Sequence, residues 1–220
     1  MRILMTGATG LVGQGVLREV LLHPHVSGVG VLGRRPLHSR DTRVLDLTVE
    51  RFDDLSAVID DLAPFDACFY CAGAPPVGTA EALYRQVTRD LTLHVARAFA
   101  ERNADGRFLY VSGAHADPDS RFMPLRVKGE TERALRELPL RTVMLRPGGI
   151  QPAHGERSPH AWMRPLYAVA APLMGIGVRL APGVMTSTAH LGRALLALAA
   201  MPAPPPVVEN ADINRLGAPG

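Results

Sequence analysis

Lysine is almost missing from this chain. Its 24 basic residues comprise 23 arginines and a single lysine, Lys128. Acidic residues number 21, so the net charge is only +3. That excess is too small to imply nucleic acid or an anionic membrane as partner. Cysteine is scarce as well. Cys68 and Cys71 form a C-x-x-C inside the apolar run 66–71, and two cysteines cannot build a disulfide framework. On a strand, residues three apart point to opposite faces, so neither mutual pairing nor joint metal ligation is favoured and no metal site is expected. Long apolar runs are lacking too. The uncharged stretch Pro165–Val178 has 14 residues and is broken by Pro172, Gly175 and Gly177, whereas a membrane-spanning helix needs about 20. Glycines interrupt the apolar stretch that follows Met1-Arg2-Ile3, unlike a secretory leader. Together these features lead to the expectation of a cytoplasmic protein in a reducing compartment.

What remains is a well-filled globular composition. The 220 residues are 47% hydrophobic and 20% charged, which excludes disorder. At about 150 residues per domain, the length fits one domain with a small addition. Over the first 150 residues strand and helix patterns alternate. Apolar runs at 2–6, 29–32, 43–47, 66–71, 107–111 and 140–146 read as strands. Helical spacing occurs at Leu11, Val12, Val16, Val20 and Leu21, across 50–62, along the stripe Leu83, Val87, Leu91, Val95 and Phe99, and across 122–138. Such alternation implies parallel strands joined by right-handed crossovers, the doubly wound α/β class. Beyond Pro147 the chain is rich in Gly and Pro until a helix pattern at 188–201, after which Val207-Val208-Glu209-Asn210 can add a last strand. The expected organisation is a dinucleotide-binding core over 1–150, with strand order 3-2-1-4-5-6, and a small substrate-side lobe over 151–220 completing the same domain.

The most informative motif is Thr6-Gly7-Ala8-Thr9-Gly10-Leu11-Val12-Gly13. It lies between the first strand and the first helix, where a glycine-rich turn cradles a pyrophosphate. Gly7 allows the tight turn, Gly10 lets backbone approach the phosphates, and Gly13 lets the helix pack against the sheet. The free amides and dipole of the helix N-terminus favour the anion. The second strand ends in Gly33-Arg34-Arg35-Pro36, without the acidic residue that bonds a ribose 2′-hydroxyl in NAD sites. Two guanidinium groups there suit a 2′-phosphate, so NADP is expected over NAD. Asp46, followed by Leu47 at the end of the third strand, is placed to accept from an adenine amino group. Cys71-Ala72-Gly73 supplies the small residues a chain needs to pass close to the adenosine ribose.

With these motifs in place, the chain resembles an atypical short-chain dehydrogenase/reductase of the Rossmann type. The likeness rests on the Thr-Gly-Ala-Thr-Gly opening, Leu145-Arg146-Pro147-Gly148, and Val127-Lys128-Gly129-Glu130-x-Glu132. Val31–Leu37, Leu109–Ser112 and Glu209–Ile213 bring it nearer to the Tat-interacting oxidoreductase-like subgroup. The resemblance implies cofactor contacts from Lys128 and from the loop Pro147-Gly148-Gly149-Ile150. It also implies a Tyr-x-x-x-Lys pair on one helix face, where the ammonium lies beside the phenol and aids its proton exchange. Here Lys128 fits the lysine, but Pro124 stands four residues earlier, and none of Tyr70, Tyr84, Tyr110 and Tyr167 precedes a lysine by four. Ser112 is near the position of the family's serine. His115, three residues on, and His154 are candidate replacement acids.

Three functions compete. The first is an NADP-dependent oxidoreductase passing hydride to a small or planar acceptor, with Trp162, Met163, Tyr167 and Met174 shaping an apolar pocket for a substrate not identified by the sequence. The second is a non-catalytic NADP(H) sensor that changes its contacts with a protein partner or a second copy. The third is a sugar-nucleotide epimerase, for which 151–220 looks short.

Overall fold

The computed structural model of the protein describes residues 1–156 and 183–219. Six strands occupy the apolar runs of the first 150 residues. These are β1 (Arg2–Thr6), β2 (Gly28–Gly33), β3 (Val44–Thr48), β4 (Ala67–Tyr70), β5 (Arg107–Val111) and β6 (Arg141–Arg146). Ile3, Leu4, Met5 and all four residues of β4 are buried, as expected when helices cover both faces of a parallel sheet. Two short strands follow, β7 (Gly149–Gln151) and β8 (Met185–Ser187), and then β9 (Val207–Glu209). Among the described residues, seven strands make one parallel sheet in the order β3-β2-β1-β4-β5-β6-β9. The expected order is thus extended by the C-terminal strand. β7 and β8 pair separately, in parallel.

The strand period of two divides the core. Ile3, Met5, Val29, Val31, Phe69 and Leu145 face α1 (Leu11–Leu22), and Leu191, Leu195 and Leu198 of a later helix join them. Leu4, Leu32, Cys68, Tyr70, Phe108, Tyr110 and Met144 face the opposite layer. That layer holds α2 (Glu81–Arg85), α3 (Leu91–Arg102) and α4 (Met123–Arg136). The last two helices are α5 (Thr188–Ala200) and α6 (Asn210–Leu216). Cys68 and Cys71 fall in opposite clusters, free and unpaired with each other.

Two expected helices differ. Residues 50–62 give only a 3₁₀ helix, Ser56–Leu62. Asp54 Oδ1 accepts from the Ser56 amide at 3.0 Å, a local turn that competes with a longer helix. The stripe from Leu83 to Phe99 is also shifted. A π-helical turn, Gln86–Asp90, joins α2 to α3. Its wider turn rotates the faces, so Tyr84 and Thr88 are buried while Leu83 is 52% exposed.

Candidate functional site

In a parallel α/β sheet, ligands gather at the carboxyl ends of the strands. Here that edge brings together the loop Gly7–Gly13 after β1, Cys71-Ala72-Gly73 after β4, Ser112–His115 after β5 and Pro147–Ile150 after β6. Gly7 has φ +70°, and a Cβ on it would lie 2.6 Å from the backbone N of Ala72. A Cβ on Gly13 would lie 1.9 Å from the Gly7 carbonyl oxygen. The Gly10 amide donates to that same oxygen at 2.9 Å. Gly10 caps α1, no side chain caps it, and no acidic residue lies in the first turn. The buried Thr6 ties β1 to the next loop, its Oγ1 accepting from the Ala72 amide at 3.4 Å. The cradle is therefore small-walled and electropositive, which fits the pyrophosphate of a dinucleotide.

Arg34 and Arg35 are exposed just past β2, and neither has an acidic partner among the described residues. Asp46 has a role the sequence reading did not assign. Its carboxylate accepts from the Leu37 amide at 2.8 Å and the His38 amide at 3.2 Å, fixing the turn that carries the two arginines. Leu47 is buried with its side chain in the core, so only its backbone is free to meet a ligand. Gly73 has open space where a Cβ would be. Burial pushes the Cys71 thiol up to about 12 and also raises the Cys68 thiol, so both stay protonated.

Lys128 reaches across from α4 to β5. Its Nζ donates to the Ser112 carbonyl oxygen and would sit 2.9 Å from a Cβ on Gly113. Burial lowers its pKa to about 8, with Glu132 acting in the opposite direction. Ser112 is buried and its Oγ has no hydrogen-bond partner among the described residues. Its amide donates to the Leu145 carbonyl at 2.8 Å, and the Ala114 amide to the Pro147 carbonyl at 2.8 Å, so the β5 and β6 loops are stitched together. His115 is exposed, with φ +60°.

Pro124 lies in the first turn of α4, where a missing N–H costs nothing because that donor would have no helical partner. Tyr70, Tyr84 and Tyr110 are each 1% exposed. Burial raises all three phenols. Tyr167, with Trp162, Met163 and Met174, lies outside the described residues. His154 is tied to α1, its Nε2 3.2 Å from Glu19 Oε1.

Behind Lys128 stand supporting residues that carry no site signal in the sequence. Glu132 is 1% exposed and bidentate to Arg146, at 3.0 Å to Nε and 2.6 Å to Nη2, while Arg136 Nη2 is 3.2 Å away. Arg146 also reaches Glu209 at 3.1 Å, and these carboxylates raise its pKa. Asn210 Oδ1 accepts from the Gly148 amide at 2.8 Å, and its Nδ2 donates to the Met185 carbonyl at 2.9 Å. These residues stand inside the quoted motifs, but their partners are up to 63 positions apart, a separation that no local pattern reveals. Among the described residues no cluster of His, Cys, Asp and Glu is arranged to hold a metal ion, and no helix is long and apolar enough to cross a membrane.

The sheet order, the glycine cradle and the lysine beside the β5 serine define a nucleotide-binding Rossmann protein of the short-chain dehydrogenase/reductase type. The chain belongs to the NAD dependent epimerase/dehydratase family, which it matches over residues 3–139. It is 32% identical over 160 residues to "Protein fmp52-1, mitochondrial" of Aspergillus oryzae, covering 70% of this chain and 68% of that protein. It is 34% identical over 160 residues to "Protein FMP52, mitochondrial" of Saccharomyces cerevisiae, covering 70% and 67%. Protein HTATIP2 of Rattus norvegicus is 30% identical over 166 residues, covering 73% and 67%. Among solved structures, MoeE5 in complex with UDP-glucuronic acid and NAD superposes with a TM-score of 0.68 at 19% identity, covering 94% of this chain and 75% of that one. The Bordetella bronchiseptica enzyme WbmF in complex with NAD+ gives 0.64 at 16%, covering 97% and 76%. At such identities the structures speak for the fold. The fungal names overturn the expectation of a cytoplasmic protein. Cys68 and Cys71 fall in opposite clusters and cannot pair with each other in any compartment, so their free thiols do not choose one.

Proposed function

We propose that this protein is an NADP-dependent oxidoreductase that passes hydride to a small or planar acceptor without the tyrosine of the Tyr-x-x-x-Lys pair. The observation that carries this reading is the convergence, at one sheet edge, of the open amide cradle Gly7–Gly13 and the half-buried Lys128. Gly7, Ala8, Thr9, Gly10, Leu11, Val12 and Gly13 would hold the pyrophosphate, and Arg34 and Arg35 the 2′-phosphate. Asp46 and Leu47 would flank the adenine, and Cys71-Ala72-Gly73 the adenosine ribose. Lys128 and Pro147–Ile150 would hold the nicotinamide half. When bound, the reduced nicotinamide supplies a hydride and leaves as NADP+. The acceptor takes that hydride together with one proton, which water can deliver to a flavin or quinone.

Pro124 and the three buried tyrosines favour a second reading, a sensor that binds NADP(H) without turnover. The two separate in one experiment: the protein is mixed with NADPH and with flavins, quinones and aldehydes in turn, and absorbance is followed at 340 nm. Enzyme-dependent decay supports the oxidoreductase. Tight NADPH binding by calorimetry without decay supports the sensor, and absence of binding overturns both.

A further inference from the structure

We propose that Lys128 is itself the proton donor of this site, delivering a proton from Nζ to the oxygen of an aldehyde or ketone in the place that Pro124 leaves without a phenol. This rests on the NADPH-binding reading above and adds to it a substrate class and an acid. The first support is elimination among described groups. Tyr70, Tyr84 and Tyr110 are buried in the sheet layer and His154 is held against Glu19, which leaves Lys128 and the exposed His115. The second is position. Nζ lies against the Ser112 carbonyl, at the carboxyl edge of β5, where the reacting end of a ligand belongs. An ammonium has three protons, and Ser112 takes one of them. The third is the buried Ser112 Oγ, which has no partner among the described residues. A carbonyl oxygen accepting from both the serine hydroxyl and the ammonium would satisfy that orphaned group.

The surroundings keep this ammonium acidic enough to donate. On its own helix it faces Glu132, which favours the charged form. Arg146 from β6 and Arg136 occupy Glu132, and Glu209 from β9 holds Arg146 in turn. From α2 come Tyr84, kept protonated by burial, and Arg85, taken up by Glu130. β5 presents Tyr110, also protonated, and its following turn carries the exposed His115. Burial outweighs Glu132, and Lys128 titrates at about 8, near the range in which a general acid works best. In the step, hydride from NADPH forms a C–H bond at the carbonyl carbon, and the C=O π pair moves to oxygen. That oxygen takes the Nζ proton, giving an alcohol and NADP+. Lys128 regains its proton from water.

The scarcity of lysine makes the test clean. In protein labelled with ¹³C and ¹⁵N only at lysine, Lys128 is the single side-chain ammonium seen by NMR, and without cofactor its titration midpoint should lie near 8 rather than 10.5. The value of kcat/KM for an aldehyde panel should then fall about tenfold per pH unit above that midpoint. Reduction of a quinone, which draws its proton from water, should lack that fall. In Lys128→Arg the guanidinium stays charged and does not donate. Aldehyde reduction should drop at least a hundredfold and its pH inflection should vanish, while calorimetry reports NADPH binding separately. A midpoint near 10.5, an inflection that survives Lys128→Arg but disappears in His115→Ala or Tyr167→Phe, or quinone turnover with no aldehyde reduction would each overturn the assignment. Failure of NADPH to bind the unmodified protein would instead overturn the reading on which it rests.

Discussion

Glu132 shows how one side chain connects stability with chemistry. It is buried, it is gripped by Arg146 and Arg136, and it is the charged group that opposes the desolvation of Lys128. Glu132→Gln keeps the shape and removes the charge. It should cost about 3 kcal/mol, as expected when one partner of a buried ion pair is lost. Part of that cost is offset because Glu209 still meets Arg146. Urea unfolding at neutral pH measures the loss. The same change should move Lys128 further down, below about 8, because the interaction that raises its pKa is gone. A midpoint that stays put or rises would show that the carboxylate does not act on the ammonium. Little of this was legible in the sequence. Lys128 stood out because it is unique in composition, but the Glu132–Arg146–Glu209 chain joins a helix to two strands. Asp46 is the same kind of case. Its place near the end of the expected strand 43–47 suggested a ligand contact, and the fold gives its carboxylate a further task, accepting from two amides of a neighbouring loop.

At the level of elements, what could be read depended on how local the determinant was. The seven strands of the main sheet were legible because each is a short apolar run, and α1 because its glycines and apolar spacing lie within 16 residues; the three-residue strands β7 and β8 were not. The π-helical turn Gln86–Asp90 was not legible. Tyr84 and Thr88 are buried there, and the Thr88 carbonyl accepts from Thr131 Oγ1 of α4 at 3.4 Å, a partner remote in sequence. α4 lies between these cases, since Pro124 is a good first-turn residue whatever else it replaces. This gives a constructive prediction. Pro124→Tyr forgoes the fixed φ of proline, which should lower stability by no more than about 1 kcal/mol. It places a phenol one helical turn before Lys128. If Lys128 is the donor in the natural protein, adding a better-placed acid should raise aldehyde reduction at least tenfold. It should also shift the pH inflection from the Lys128 midpoint toward that of the new phenol. An unchanged rate in a folded variant would mean that this turn of α4 does not face the reacting carbon.

On the scale of the whole molecule, the sheet sorts its work by position. The β3 and β2 end carries the exposed arginine turn, the middle carries the amide cradle, and the β5–β6 end carries Lys128, Ser112 and the stitched loops. The edge strand β9, with α5 and α6, lends Glu209 and Asn210 to that last region, so the C-terminal segment supports the site as well as the core. Cofactor choice should therefore be separable from turnover, since the arginines lie three strands away from Lys128. A ligand at a hundred times its Kd stabilises the folded state by about 2.7 kcal/mol, which for a chain of this size is a rise in Tm of roughly 5–10 °C. NADPH should give such a shift at concentrations where NADH gives little. Arg34→Ala with Arg35→Ala should reduce the NADPH shift to that of NADH and leave the NADH shift alone, because the cradle amides serve both cofactors. Added salt should weaken the NADPH advantage, since exposed charge pairs are screened. Equal shifts for both nucleotides in the unmodified protein would remove NADP selectivity from the arginine turn. The role of Asp46, which holds that turn in shape, would then be purely structural.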